Sequence, residues 1–390
     1  MRKKLLKVLK PSVAIFLSIA LLFTYLPENI ALAFINDFSS TQIFHNDERE
    51  IAEGVILNQW VGTTSDGKNK VGKTITFNPI SSDAMIYAAY GNSVASRSTL
   101  SNLSKGEEEK GVSIIGGING DFYYVDTGIP IGLLVQNGRL ISYSNTKWNA
   151  VGFNADGSVV MDMPNIEMNL IRDGRTHNFG NLNKPQSDWG PYVYTSDFGP
   201  NTGSKVPSLE IVLDIKNGDF RIGHTVTAAV SDIKLNAQST PIGPNQIVLS
   251  ARNQKSGYSV LGNFRIGDEL VFEFKDIENK WTNVQQAVGG DTILINNGAI
   301  TNGLSSTDYV PSTVIGVKDN GEVVLYQVDG RSSASQGVSS AETAQFLHKL
   351  GCVKALKLDG GGSSTIVARM PGHNSPNLLN SPSDGRERAN

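Results

Sequence analysis

The stretch GEVVLYQVDGRSSASQGVSSAETAQFLHKLGCVKALKLDGGGSSTIVAR, residues 321–369, decides the reading of the fold. It opens with an apolar run of β-formers that stops at Asp329-Gly330. A helix is predicted over 339–350: Ser339 can accept from the first-turn amides, Glu342 completes an S-x-x-E capping box, and Gly351 ends the segment. A second run, ALKL, then meets Asp359 and three glycines before the β-formers resume. The pattern is strand, helix, strand, and the expected class is α+β with a mixed β-sheet and few helices.

Upstream, TVIGVKDNGEVVLYQVDG reads as a hairpin turning at Asn320-Gly321, and GIPIGLLVQNGRLISY as another turning at Asn137-Gly138. Between them, short runs such as AVGFN, SVVMDM, EIVLDI, HTVTAAV, QIVLSA and ELVFEF are separated by turn signals, with no long amphipathic helix. Residues 150–285 are therefore expected to form an inserted β-rich lobe. Ser96 to Lys110 is expected to be helical. Residues 71–90 read as a hairpin bending near Asn78-Pro79, and the polar segment 34–70 is expected to lie over the surface of a domain spanning 71–390.

The N-terminus reads as an export leader over residues 1–33. Arg2, Lys3, Lys4, Lys7 and Lys10 precede an apolar run from Val13 to Tyr25, and Ala31-Leu32-Ala33 fits a cleavage site. The run is shorter than the roughly 20 residues a bilayer span needs, so no stable membrane span is expected after cleavage. The expected location is secreted or cell envelope. The leader carries five basic residues and one acid, leaving −7 of the chain's net −3 on the remainder. That balance argues against a nucleic-acid partner and requires any anion recognition to be local. Cys352 is the single cysteine, so an internal disulfide and cysteine zinc sites are excluded.

Three apolar runs end in a carboxylate beside glycine: Asp121 in GGINGDFYY, Asp329 in YQVDGRSS and Asp359 in LKLDGGGSST. A strand end followed by glycines sets a carboxylate at the rim of a sheet and leaves backbone N–H groups unshielded, so they can nest an anion. The carboxylates can then serve as general acid or base, or hold a divalent cation. Asp121, Asp329 and Asp359 are the candidate catalytic residues. Phe122, Arg331, Gly360, Gly361, Gly362, Ser363 and Ser364 are the candidates for substrate binding. Neither a metal ligand set nor a cofactor is readable. A single Asp-Gly after a strand is more often a plain turn, which weighs most against Asp329. Walker, Rossmann and G-x-S-x-G patterns are missing from the glycine-rich turns, which sets aside nucleotide binding and serine-hydrolase chemistry.

INGDFY at 118–123, GGDTILINNG at 289–298, PSTVIGVKDNGEVVLYQVDGR at 311–331, ALKLDGGGSSTIV at 355–367 and the closing NSPSDGRER occur in that order. Together they resemble the phosphodiester glycosidase family. The resemblance implies a hydrolase acting between a sugar's anomeric carbon and a phosphodiester, with these motifs meeting in one cleft and an anionic glycan as partner. Asn119 joins the candidates for substrate binding only through this resemblance. Ser312 departs from the family's frequent Pro-Arg-Thr. Two alternatives stay open: a non-catalytic glycan-binding protein of the envelope, and a metal-dependent phosphodiesterase cutting the P–O bond. The sugar, the stereochemical outcome and the oligomeric state are not legible in the sequence.

Overall fold

The computed structural model describes residues 37–38 and 41–389, so the leader expected over 1–33 lies outside the described residues. No helix among them is long and apolar enough to cross a membrane. Among the described residues, three sheets of nine, thirteen and three strands form the framework. Helices are few: Leu100–Glu109, the single turn Tyr258–Leu261, and Ser340–Lys349. The chain is thus β-rich, and the α+β class overstates its helix. Among the described residues the strand pairs are antiparallel except Asn181–Leu182 against Tyr192–Thr195, which run parallel.

The nine-stranded sheet is organised around Val323–Val328, whose six residues are all buried. Val324, Tyr326 and Val328 face one core, shared with Phe346 and Leu347 of helix Ser340–Lys349. Val323 and Leu325 face another, shared with Val151, Phe153 and Met161 of the thirteen-stranded sheet. Burial on both faces explains why this strand reads as a continuous apolar run rather than an alternation. The helix begins as expected: the Ser339 hydroxyl accepts from Glu342 N–H, and the Glu342 side chain accepts from Ser339 N–H. Phe346 stacks on Trp60 at 5.1 Å between ring centroids.

Two readings at the N-terminal side need correction. Segment 34–70 is not a surface covering: Thr41–Ala52 and Val55–Thr64 are full strands of the nine-stranded sheet. Val55 and Leu57 enter one core and Trp60 another, while the consecutive Asn58 and Gln59, on opposite faces, are only partly buried, so polar residues are interleaved with buried ones along a strand that is covered on both sides. Residues 71–90 do not form a hairpin with each other either. Asn69–Phe77 pairs with Val55–Thr64 on one edge and Val323–Val328 on the other, leaving no edge for 80–90.

The thirteen-stranded sheet runs from Leu134 to Gly290 in the chain and has its own core, which includes Phe179, Phe272, Phe274 and Trp281. Its strand Val284–Gly290 ends where Ile293–Asn296 joins the nine-stranded sheet. The three-stranded sheet aligns Gly116–Ile118 with Ile366–Ala368, pairing Ile118 with Ile366. The glycine-rich motifs therefore gather where three sheets meet.

Candidate active site

The small sheet brings INGDF and LDGGGSST together residue against residue. Asp359 N–H donates to Gly120 O at 3.1 Å, and Asn119 N–H to Thr365 O at 3.3 Å. The Asn119 carboxamide completes the junction. Its Nδ2 donates to Asp359 O at 2.8 Å, and its Oδ1 accepts from Thr365 N–H at 3.0 Å and from the Thr313 hydroxyl at 2.8 Å. Asn119 is 6% exposed, so it ties three motifs together from within instead of facing a ligand as expected.

Asp121 lies just beyond this junction. One carboxylate oxygen accepts from Trp148 Nε1 at 2.8 Å and the other from Gly132 N–H at 2.6 Å. Phe122 packs edge-on against Trp148 at 5.8 Å. Gly289, from the GGDT motif, closes the other side: a Cβ there would stand 2.3 Å from Asp121 Oδ2. Burial pushes the Asp121 carboxyl up to about 6, against the pull of Trp148, Gly132 N–H and the nearby Lys184 ammonium. Burial lowers Lys184 to about 7, while the Asp121 charge opposes that fall.

Asp359 sits at the second edge of the site and is 8% exposed. Burial raises its carboxyl above the usual range; the Ser363 hydroxyl, Gly360 N–H and the charge of Arg388 hold the rise in check. Arg388 donates to Ser363 Oγ at 3.4 Å and is paired with Asp384, whose hydrogen bond raises the pKa of the guanidinium further. The pair packs on Gly362, where any Cβ would run into Arg388 Nη2. Gly361 has φ +60° and lies beneath the guanidinium of Arg331, 3.0 Å from where its Cβ would be. Gly360 needs no special φ, but the carbonyl of Pro311 comes within 2.9 Å of its Cβ position. Three consecutive glycines thus answer three separate close approaches.

Most amides of the turn are already committed within the protein. Gly361 N–H is committed to Pro311 O, Ser363 N–H to Gly360 O, Ser364 N–H to Gly361 O, and Gly360 N–H to the Asp359 carboxylate. Ser363 and Ser364 are each 1% exposed, and Ser364 Oγ lies 3.0 Å from the Thr313 hydroxyl. Attraction for an anion falls instead to two guanidinium groups, the exposed Arg331 and the partly exposed Arg388. Arg388 closes the NSPSDGRER motif and escaped the candidate set. Trp148, Gly132 and Lys184 escaped it too, because none stands in a recognisable pattern.

Asp329 is brought near but not into this arrangement. It is 6% exposed, forms an ion pair with Lys73 at 3.2 Å, and accepts from Gln327 Nε2 at 2.9 Å and from Ser381 N–H. All its acceptor capacity goes to holding two strands and the C-terminal segment together. Ser312 is buried at the start of Ser312–Lys318, opposite Val328. Among the described residues no group of three or more His, Cys, Asp or Glu side chains gathers in a way that could hold a metal ion. A cavity of about 480 Å³ lies in the thirteen-stranded sheet, lined by Asn145, Lys147, Asn165 and Phe179 among others, but none of the motif residues reaches it.

Known proteins resemble parts of this chain. Residues 221–390, under half of the chain, match the family model of phosphodiester glycosidase. The resemblance carried by the motifs is thereby shown for that part, which includes Asp329 and Asp359 but begins after Asp121. A stretch of 79 residues, 20% of this chain and 11% of the relative, is 37% identical to the SPbeta prophage-derived uncharacterized protein YomE of Bacillus subtilis (strain 168). A stretch of 55 residues, 14% of this chain and 10% of the relative, is 44% identical to the human N-acetylglucosamine-1-phosphodiester alpha-N-acetylglucosaminidase. The matched stretches thus span about a tenth of these curated relatives. The fold is shared more widely: the crystal structure of a hypothetical protein from Synechocystis superposes with a TM-score of 0.70 at 20% identity, covering 88% of this chain and 62% of that one.

Proposed function

We propose that this protein is a hydrolase that breaks the bond between a sugar's anomeric carbon and a phosphodiester, on an anionic glycan outside the cytoplasm. The observation that carries the reading is the junction of Asp121 and Asp359, two carboxyls with raised pKa, flanked by Arg331 and Arg388. The two sides of the junction differ in kind. Asp121 is walled by Trp148 and Phe122, which suits the apolar face of a sugar ring. Asp359 lies on the arginine side, which suits phosphate.

In this reading the C–O bond at the anomeric carbon breaks and its electron pair leaves with the phosphate. Positive charge develops on the ring, where the ionised Asp121 stabilises it. Arg331 and Arg388 balance the charge of the departing phosphate, and a protonated Asp359 can donate to one of its oxygens. Water then supplies a hydroxyl to the anomeric carbon, and its proton is released through a carboxylate.

Hydrolysis in oxygen-18 water tests the reaction directly. Label in the released sugar supports C–O cleavage. Label in the phosphate overturns the reading in favour of P–O cleavage. Binding of the glycan without turnover would instead make the protein a glycan-binding module. Export is tested separately: the expected mature terminus is close to Phe34, and exported material that still begins at Met1 would reject leader cleavage.

A further inference from the structure

We propose that Lys184 is a positioning residue of the Asp121 centre: its ammonium fastens the turn that holds the carboxylate and is the cation that faces it. This rests on reading Asp121 as a site carboxylate. Lys184 lies in none of the motifs and follows the short strand Asn181–Leu182 of the thirteen-stranded sheet. It is 1% exposed, and its Nζ donates to Pro130 O at 2.6 Å and to Gly132 O at 2.8 Å. The same Gly132 gives its N–H to Asp121 Oδ2 at 2.6 Å. One residue thus receives the lysine through its carbonyl and grips the aspartate through its amide.

The segment carrying Lys184 is anchored on both sides, so the ammonium is delivered rather than free to swing. Before it, Asn183 Nδ2 donates to Ile141 O at 2.7 Å and to Thr195 Oγ1 at 2.8 Å, and Asn183 Oδ1 accepts from Thr195 N–H at 2.9 Å. After it, Gln186 Nε2 donates to Ser250 Oγ at 2.7 Å, and Gln186 O accepts from Arg252 at 2.7 Å.

The groups facing Asp121 are few. They are the N–H groups of Gly132 and Phe122, the Trp148 indole, the Lys184 ammonium, and the Tyr124 phenol, whose ionisation the Asp121 charge opposes. Lys184 in turn meets two carbonyls and the single charge of Asp121. A buried ammonium with no carboxylate in contact stays charged at the expense of solvation, and its field favours the anionic form of the nearest acid. The lowered pKa of Lys184 and the raised one of Asp121 agree with two groups that burial strains and mutual charge steadies.

The Trp148 indole reports Asp121 without any turnover, because its N–H donates to that carboxylate. The chain has four tryptophans, so labelled indole N–H signals can be assigned with a Trp148→Phe variant. Three proteins are compared across pH: wild type, Lys184→Arg, which keeps the charge, and Lys184→Gln, which keeps a donor for the carbonyls but loses it. Lys184→Gln is expected to raise the Trp148 midpoint by at least about one pH unit, and Lys184→Arg to stay within about half a unit of wild type. The limb of the kcat/KM profile that tracks Asp121 should move up with it. A folded Lys184→Gln protein with an unmoved midpoint overturns the proposal. If Lys184→Gln does not fold, the wild-type titration decides: two inflections support coupled groups, whereas one simple proton titration overturns the coupling. A shifted midpoint in a protein that never hydrolyses a sugar phosphodiester would uphold the Lys184–Asp121 relation while the proposed reaction fails.

Discussion

Asp121 and Asp329 both lie just past an apolar strand, both stand beside glycine, and both have a buried lysine nearby, yet the two regions use these parts in opposite ways. Around Asp329 the pair is closed: Lys73 touches the carboxylate at 3.2 Å, and Gln327 and Ser381 occupy its remaining acceptors. Around Asp121 the pair is held apart, with Lys184 spent on two backbone carbonyls and Asp121 on an indole and an amide. A closed buried pair neutralises itself and acts as a clamp. An open one leaves a carboxylate whose ionisation is set by its surroundings and can answer to a ligand.

The sharpest way to test that contrast is to remove each charge. Asp121→Asn and Asp359→Asn are expected to lose roughly 10²–10⁴ in turnover on a sugar phosphodiester while remaining folded, the usual scale for a lost acid–base group. Steady-state rates set beside thermal melts check this, and two folded variants with normal rates would remove both residues from the chemistry. Asp329→Asn should behave in the reverse sense. Breaking one side of a buried ion pair leaves Lys73 uncompensated, which costs about 3–5 kcal/mol of stability. Turnover per folded molecule should change only a few-fold. A denaturant midpoint unchanged by Asp329→Asn would show that the clamp is not one.

How much of this was legible follows from what each region is made of. The capping box at Ser339 and the hairpin at Asn320-Gly321 are local devices, and both appear where the spacing puts them. Gly360, Gly361 and Gly362 were legible because close approaches demand glycine in the sequence itself. The strand Val55–Thr64 was not, because Asn58, Gln59 and Thr63 mask a half-buried strand as a polar surface. Lys184 was not legible in any way: nothing in a lone lysine announces that a distant loop will bury it beneath an aspartate 63 positions earlier. Asp329 shows the converse limit, since the same Asp-Gly signal marks a clamp and a reactive edge alike.

The open pair also makes a prediction about pH. The folded-state pKa of Asp121 lies above the unfolded value, at about 6 against 3.8. Folding therefore favours its protonated form. Its contribution to stability is full below about 4 and is lost as pH rises through about 6, a change of about 1–3 kcal/mol. Asp121→Asn cannot titrate and should flatten that part of the stability curve. Urea midpoints at pH 4 and pH 7 measure it, and parallel slopes for variant and wild type would contradict the raised pKa.

The smallest effect separates two glycines that look alike in sequence. Gly120 stands beside Asp121 in the motif, yet a Cβ there would meet nothing within 4 Å. Gly289 lies 168 positions after Asp121, and a Cβ there would come within 2.3 Å of Asp121 Oδ2 and 2.8 Å of Gly132 Cα. The carboxylate cannot simply swing clear, because Gly132 N–H and Trp148 hold its two oxygens. Gly132 cannot retreat freely either, since its carbonyl is bound by Lys184. Gly289→Ala must therefore displace the Asp121 centre itself. Strain of this kind costs about 1 kcal/mol or somewhat more, and we expect turnover to fall about tenfold as the carboxylate shifts. Gly120→Ala should leave the melting temperature within experimental error. A Gly289→Ala protein as fast as wild type would mean that the position of Asp121 between Gly132, Gly289 and Trp148 does not govern the proposed reaction, and the contrast with Asp329 would lose its functional side.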